Sequence, residues 1–170
     1  VVSYVIAQTG ARVGAHCHND TGCAAANSVA AVRAGATHVQ GTVNGYGERT
    51  GNADLITVVA NLQFKLGLHA MADGSLRRAM HIAHAISEVT NVPAYSRQPY
   101  VGASAFAHKA GLHASALKVD PDLYQHMNPA LVGNGMRTLV SDMAGRASIE
   151  LKAREAGLDL SDRPEVVAAV

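Results

Sequence analysis

The sequence predicts an α/β protein with parallel strands, on three observations. Within the first 67 residues, two alternating apolar segments are each followed by a segment with helical spacing, the repeat of a parallel sheet or an α/β barrel. Polar side chains recur on one face of both predicted strands, which favours a barrel lumen over a sheet covered on both faces. After Gly67 the strands stop and helical segments follow.

In the first half, an apolar segment at 1–8 ends at Thr9-Gly10, and four elements follow it. We predict a strand at 12–18, a helix at 23–34 capped by Asp20 or Thr21, a strand at 38–44 and a helix at 53–66. Gly35 and Gly67 follow the two helices, where glycine commonly ends a helix.

In the second half, Ser75 is expected to cap a helix that runs to Thr90. Its predicted buried stripe consists of Leu76, Met80, Ala83, Ile86 and Val89. Further helices are predicted at 104–118, 121–127 and 147–156, with a turn at 133–135.

Composition excludes several classes of protein. Charged residues make up 16% of the chain and the net charge is +1 with no basic block, which argues against nucleic-acid and membrane-surface partners. Cys17 and Cys23 are too few for a disulfide framework, so a reducing cytoplasm is expected. Because Val1 lies inside an apolar segment and a predicted helix is cut at Val170, we expect a piece of a longer protein.

Two histidines share one face of the first predicted strand. His16 and His18 are two positions apart, so their side chains point the same way, roughly 6–7 Å apart along the strand, while Cys17 faces the opposite layer. Imidazoles in this arrangement suit a divalent metal such as zinc or manganese. The alternative is a pair of strand-end histidines that only form hydrogen bonds.

Asn52 is the third candidate ligand. It follows the second strand within a glycine-rich loop, at the strand ends where α/β barrels hold their active sites. Asn52 could thus join His16 and His18 around one metal, and the alternative is a helix N-cap. Glu48 and Arg49 in the same loop are expected to pair with each other or with the loop backbone.

These residues carry a family resemblance. His16-Cys17-His18-Asn19-Asp20, followed at this spacing by Gly-Tyr-Gly-Glu-Arg-Thr-Gly-Asn at 45–52, resembles the metal-dependent Claisen-condensing synthases. That family includes isopropylmalate, citramalate and homocitrate synthases, with HMG-CoA lyase as a relative. The segment 104–113 is similar to their linker, and 121–127, 132–134 and 139–146 look most like the citramalate synthase branch.

The resemblance implies an architecture. Residues 1–67 would be the last two βα units of a (β/α)8 TIM barrel. Residues 68–99 would form a helical linker subdomain, and 100–170 a second linker subdomain, truncated before any regulatory domain. The missing barrel strands would lie upstream of Val1 or come from another chain.

The resemblance also implies an activity. An acyltransferase of branched-chain amino-acid biosynthesis would condense acetyl-CoA with a 2-oxo acid, most simply pyruvate to give citramalate. A divalent metal (Mn, Zn or Mg) would be held by His16, His18, Asn52 and an upstream aspartate. His113 and Tyr124 of the partner subunit in a homodimer would be catalytic, and His108 is a weaker candidate.

Other readings stay open. A 2-isopropylmalate synthase would use 2-oxoisovalerate, and an HMG-CoA-type lyase would run a related cleavage, although such lyases typically lack the segment 104–146. A non-catalytic dimerisation piece is the third alternative, and the 170-residue piece by itself is expected to be inactive. His113 could equally be plain structure and Tyr124 a packed aromatic. The remaining histidines are expected on the surface or in helix packing, with His38 as an outer group of the site at most: His69, His81, His84 and His126.

Overall fold

A computed structural model describes residues 1–108, 120, 123, 125–139, 146–158 and 160. Strand β1 (Gly14–His16) and strand β2 (His38–Gln40) pair in parallel, with Gly14 opposite His38 and His16 opposite Gln40. Helix α2 (Ala24–Arg33) lies between them in the chain, as the crossover connection of a parallel strand pair requires. The predicted α/β class with parallel strands is confirmed as a small two-stranded sheet.

Both strands are shorter than the predicted ranges 12–18 and 38–44. After β1, His18 forms only an isolated bridge with Asn52. After β2, residues Val43–Gly45 form a 3₁₀ turn in which Asn44 has a left-handed φ of 62°. The chain leaves the sheet early because both strand ends turn into the loops that meet at the candidate site.

The end of α1 agrees with the prediction, whereas the cap of α2 differs from it. Helix α1 (Val2–Thr9) ends at Gly10, which has the left-handed conformation and donates its N–H to the Ile6 carbonyl. In α2 the side chain of Asn19, and not Asp20 or Thr21, accepts the N–H of Ala24 at 3.2 Å. The three candidates are neighbours, and only the geometry of the loop selects among them.

Helix α3 (Leu55–Ala60) is the centre of the packing. It continues as a π-helical turn at Asn61–Lys65. One face of α3 places Ile56 and Ala60 in a cluster with buried residues of the next helix, α4 (Ala79–Thr90), and of the segment after it. The other face packs against α2 in a second cluster, which Cys17 joins from the face of the strand opposite the histidines: Ala24, Ala53, Val58 and Leu62.

Helix α4 (Ala79–Thr90) follows a 3₁₀ turn at Ser75–Arg78, and Ser75 makes no side-chain cap. The predicted buried stripe is therefore wrong at its end: Val89 is 84% exposed while Ser87 is buried. At about 100° per residue, Ser87 lies about 40° from Ala83 around α4 whereas Val89 lies about 240° from it, so the last three-residue step of the predicted stripe leaves the face that meets the core.

The last described elements are a short sheet and a helix. Strand β3 (Ala107–His108) pairs in parallel with strand β4 (Arg137–Thr138), so the helix predicted over 104–118 is wrong at 104–108. Residues 125–127 are not helical either. Phe106 is buried in the core and its carbonyl accepts the Arg137 N–H, so tertiary pairing overrides the local helical preference. Helix α5 (Arg146–Glu155) confirms the helix predicted at 147–156.

Among the described residues, no helix is both long enough and apolar enough to cross a membrane.

Candidate metal centre

His16 and His18 meet at the end of β1. Their rings lie 5.1 Å apart between centroids in an edge-to-face arrangement with an interplanar angle of 82°. His16 is exposed and His18 is half-buried, so His16 forms the outer part and His18 the inner part of one polar surface. The structure thus confirms that the two imidazoles are neighbours on one side of the strand, as the alternation predicted.

The glycine-rich loop brings Asn52 to the same place. His18 and Asn52 form an antiparallel bridge, and the flanking residues reinforce it. The Asn19 N–H donates to the Gly51 carbonyl and the Ala53 N–H donates to the Cys17 carbonyl, both at 2.9 Å. These backbone hydrogen bonds hold the loop end against the strand end without using the side chain of His18 or Asn52.

The loop closes tightly because of its glycines. The Asn52 N–H donates to the Gly45 carbonyl at 2.9 Å, and a Cβ on Gly51 would collide with that carbonyl oxygen. Gly47 has a φ of +157°, and a Cβ there would lie 2.6 Å from Nδ2 and 2.9 Å from Cγ of Asn52. Glycine at these positions is required by close approach of the chain, and at Gly47 by close approach to the Asn52 amide.

The Asn52 amide has a defined orientation. Its Nδ2 donates to the Tyr46 carbonyl at 3.4 Å, so this hydrogen bond engages the nitrogen of the amide and not Oδ1. The alternative role as helix N-cap is wrong, because Asp54 caps α3 by accepting the Ile56 N–H at 3.2 Å and the Thr57 hydroxyl at 2.6 Å. Asn52 is thus free of the helix.

Two buried atoms at this point have no hydrogen-bond partner among the described residues: Nδ1 of His18 and Oδ1 of Asn52. Leaving a polar atom buried and unpaired costs about 1–3 kcal/mol. Both atoms carry lone pairs that a cation accepts, and imidazole nitrogen with amide oxygen suits zinc or manganese. The residues present therefore fit a divalent metal.

The donor set is unusual in composition. No group of three His, Cys, Asp or Glu residues that could hold a metal occurs in the described part of the chain. Two imidazoles and a carboxamide make up the donor set that these residues offer, and imidazole and carboxamide are neutral ligands. Such a set leaves coordination positions for further oxygen ligands.

An ion pair fixes the outer side of the loop. Arg49 binds Asp20 through two parallel contacts, Nε to Oδ1 at 2.7 Å and Nη2 to Oδ2 at 3.0 Å, while Glu48 lies 3.6 Å from the same guanidinium. The hydrogen bond from Arg49 lowers the pKa of the Asp20 carboxyl and raises that of the guanidinium. The prediction for Arg49 missed Asp20, which lies on the other loop.

A cavity of about 310 Å³ adjoins Asn52. It opens between the two loops and the segment after α4, and its lining includes Asn19, Tyr46, Asn52, Asp54, Tyr95 and Gln98. Asp54 and Gln98 were not predicted as site residues. The spacing of Asp54 and Thr57 before an apolar run is the feature that could have indicated the helix cap.

The other predicted residues fall in three groups. His113 and Tyr124 lie outside the described residues. His38 sits on β2 beside Gly14, and His108 lies in β3. His126 packs against the rings of Phe106 and Tyr100, and burial lowers its pKa, so it serves packing as predicted.

Comparison with known proteins places the chain. A family model described as HMGL-like matches residues 1–86, the half that holds β1, β2, the loop and most of α4. The chain belongs to the HMGL-like family. A second model, described as homocitrate synthase post-HMGL domain-like, matches residues 100–169.

Relatives of this HMGL-like chain include condensing enzymes. An (R)-citramalate synthase of Streptomyces coelicolor is 64% identical over 170 residues, which is 100% of this chain and 32% of that protein. An (R)-citramalate synthase of Aquifex aeolicus is 47% identical over 92% of this chain and 30% of its own length. A 2-isopropylmalate synthase of Lysinibacillus sphaericus is 38% identical over 87% of this chain and 29% of its own. The chain spans about a third of the length of the curated relatives it matches.

Proposed function

We propose that this chain is the metal-loop and linker part of an acyltransferase that condenses acetyl-CoA with pyruvate to give citramalate. In that protein, residues 1–67 supply the last two βα units of a (β/α)8 barrel, and residues 68–99 and 100–170 form the linker subdomains. The match of the HMGL-like model to residues 1–86 and the parallel pairing of β1 with β2 support this architecture.

One observation carries the metal-dependent chemistry: His18 Nδ1 and Asn52 Oδ1 are buried without partners beside His16. These three residues would hold the ion together with an aspartate from upstream. A bound Mn²⁺, Zn²⁺ or Mg²⁺ supplies a positive charge that offsets the negative charge growing on the ketone oxygen of the 2-oxo acid. The two histidines would bind the ion through lone pairs of their imidazole nitrogens.

The reaction balances with one water. A base takes a proton from the methyl group of acetyl-CoA, and that carbon forms a bond to the ketone carbon of pyruvate, whose oxygen becomes a hydroxyl. Water then cleaves the thioester and releases the CoA thiol. By the resemblance, His113 and Tyr124 would reach this site from the partner subunit of a homodimer, where histidine as a residue type suits proton transfer.

The choice of pyruvate rests on the relatives. The names of the Streptomyces and Aquifex proteins give (R)-citramalate as product, and their identities exceed the 38% of the isopropylmalate synthase. The model match at residues 100–169 favours a synthase over a lyase. We place the protein in the cytoplasm with small-molecule substrates only.

The test uses the complete gene product that contains these 170 residues. Free CoA thiol is followed from acetyl-CoA with Mn²⁺ and, separately, pyruvate, 2-oxoisovalerate or 2-oxoglutarate. Release with pyruvate is the expected result. Release only with 2-oxoisovalerate would assign the isopropylmalate reaction, release only with 2-oxoglutarate the homocitrate reaction, and release with none of them would contradict the proposed class.

The ligand assignment has its own test. We expect His16→Ala, His18→Ala and Asn52→Ala each to raise the Mn²⁺ dissociation constant by more than about 100-fold, the upper end of what loss of an outer-shell partner costs. His81→Ala, on the exposed face of α4, is the matched control and should leave metal affinity unchanged. A dimer that folds normally but binds no Mn²⁺ would instead favour the non-catalytic dimerisation piece.

A further inference from the structure

The glycine-rich loop has two ends, Asn44 and Asp54, and one side chain from a distant segment binds both. Gln98 is buried, and its Nε2 donates to Asn44 Oδ1 at 3.1 Å and to Asp54 Oδ2 at 3.2 Å. Everything between these two residues, including Gly47, Gly51 and Asn52, belongs to the loop that carries the proposed metal ligand. The side-chain amide of Gln98 therefore bridges the two ends of that loop.

Each end of the loop is also bound to a helix. Asn44 donates through Nδ2 to the Ala83 carbonyl of α4 at 2.8 Å, and Asp54 caps α3 through the Ile56 N–H. Gln98 thus joins the loop base to both helices that flank it. The hydrogen bond to Asp54 is charge-assisted, which makes it roughly twice as strong as a bond between neutral groups.

Gln98 is itself held rigidly. Its N–H donates to the Tyr95 carbonyl at 3.0 Å and its carbonyl accepts the Gly102 N–H at 3.0 Å. A Cβ on Gly102 would lie 2.6 Å from the Gln98 nitrogen, so the turn is closely packed. Tyr100 and Val101, within the same turn, are buried in the larger hydrophobic cluster. The position of the Gln98 amide is therefore set by the core and not by the loop it binds.

We propose that Gln98 is a positioning residue for the metal site: it does not reach the metal but fixes the loop base so that Asn52 Oδ1 stays beside His18. This inference rests on the proposed metal-dependent function. The segment after α4 would thus help to fix the positions of the metal ligands, because a ligand set must be held within about 0.5 Å of its productive arrangement.

The experiment measures Mn²⁺ affinity by electron paramagnetic resonance in the complete gene product. Gln98→Leu removes both hydrogen bonds at similar volume, and we expect the Mn²⁺ dissociation constant to rise about tenfold, as for other outer-shell partners. Gln98→Lys restores a donor that reaches Asn44 Oδ1 and Asp54 Oδ2, and it should recover most of the affinity. Gln63→Leu is the control, since Gln63 is half-buried after α3 and its Oε1 has no hydrogen-bond partner among the residues that the structure describes.

Asn44→Gly provides a second route if Gln98→Leu does not fold. It keeps the left-handed backbone while removing the acceptor for Gln98, and it should also weaken Mn²⁺ binding. If the wild type binds Mn²⁺ and folded Gln98→Leu or Asn44→Gly binds it with the same dissociation constant, the inference about Gln98 is overturned but the metal site is not. Equal losses of Mn²⁺ affinity in Gln98→Leu and Gln98→Lys would have the same meaning. Wild-type protein that binds no Mn²⁺ would overturn the proposed metal site and the inference together.

Discussion

Gly47 offers a perturbation that reaches the candidate metal ligand through a single methyl group. In Gly47→Ala the new Cβ would lie 2.9 Å from Cγ of Asn52, whereas carbon atoms in favourable contact are about 3.5–4.0 Å apart. The amide must therefore move by about 0.6 Å or more, or the loop must open. That displacement exceeds the tolerance of about 0.5 Å for a functional ligand set.

Two costs follow, and they can be measured separately. Alanine at the φ of +157° is strained, at about 1–3 kcal/mol of folding stability. Displacement of the Asn52 amide should raise the Mn²⁺ dissociation constant by about 10- to 100-fold, which is the range for a disturbed metal site. Thermal unfolding reports the first cost and titration with Mn²⁺ reports the second.

Gly74→Ala separates strain from displacement. Gly74 also has a positive φ, of +78°, but no atom of the described part of the chain lies within 4 Å of a Cβ placed there. It should lower the unfolding midpoint while leaving the Mn²⁺ affinity as in the wild type. In an Asn52→Ala background, Gly47→Ala should cause no further loss of affinity. Additive losses in that double variant, or equal Mn²⁺ affinities in Gly47→Ala and Gly74→Ala, would refute the reasoning.

Three further predictions concern stability. Val58→Ala should lower the free energy of unfolding by about 1.5–3 kcal/mol because Val58, on α3, is 1% exposed. Val89→Ala should change it by no more than about 0.5 kcal/mol because Val89, on α4, is exposed. Similar urea midpoints for the two variants would contradict the exposure of Val89. Asp54→Ala should lower the free energy of unfolding by about 1 kcal/mol because it removes the cap of α3. Ser75→Ala should hardly change it, because the Ser75 side chain caps no helix. Burial, followed by the charge of Lys65, lowers the pKa of His126 in the folded protein below the ordinary value of 6.5. The free energy of unfolding is therefore fully retained above pH 6.5 and decreases as the pH drops toward the pKa of the folded state. The His126→Phe variant should lose less stability in that window, and identical pH profiles of the unfolding midpoint would count against it.

The strand histidines were predictable because a period of two fixes which side chains share a face. His16 and His18 needed only the alternation of β1, and Cys17 took the opposite face for the same reason. The position of Asn52 beside them was predictable from parallel strand topology, which gathers the loops at one edge. Local rules therefore sufficed wherever the geometry depends on one strand or one connection.

The supporting contacts were not predictable, because they depend on separate segments meeting. Asp20 and Arg49 lie 29 positions apart, and Gln98 lies 54 positions from Asn44. No periodicity or turn preference encodes such pairs. The helix predicted at 104–108 failed for the same reason, since β3 exists only through its pairing with β4. Asp54 displaced Asn52 as the cap of α3 because the loop closes two residues later than the sequence pattern indicates.

The central claim is that His16, His18 and Asn52 hold a divalent metal, and pulsed electron paramagnetic resonance of the Mn²⁺-loaded gene product tests it most directly. Electron spin-echo modulation detects nitrogen nuclei bonded to the ion. We expect modulation from two imidazole nitrogens in the wild type and in the control His81→Ala. In His16→Ala or His18→Ala at saturating Mn²⁺, we expect modulation from one imidazole nitrogen. A wild-type spectrum of bound Mn²⁺ without imidazole nitrogen would contradict the account.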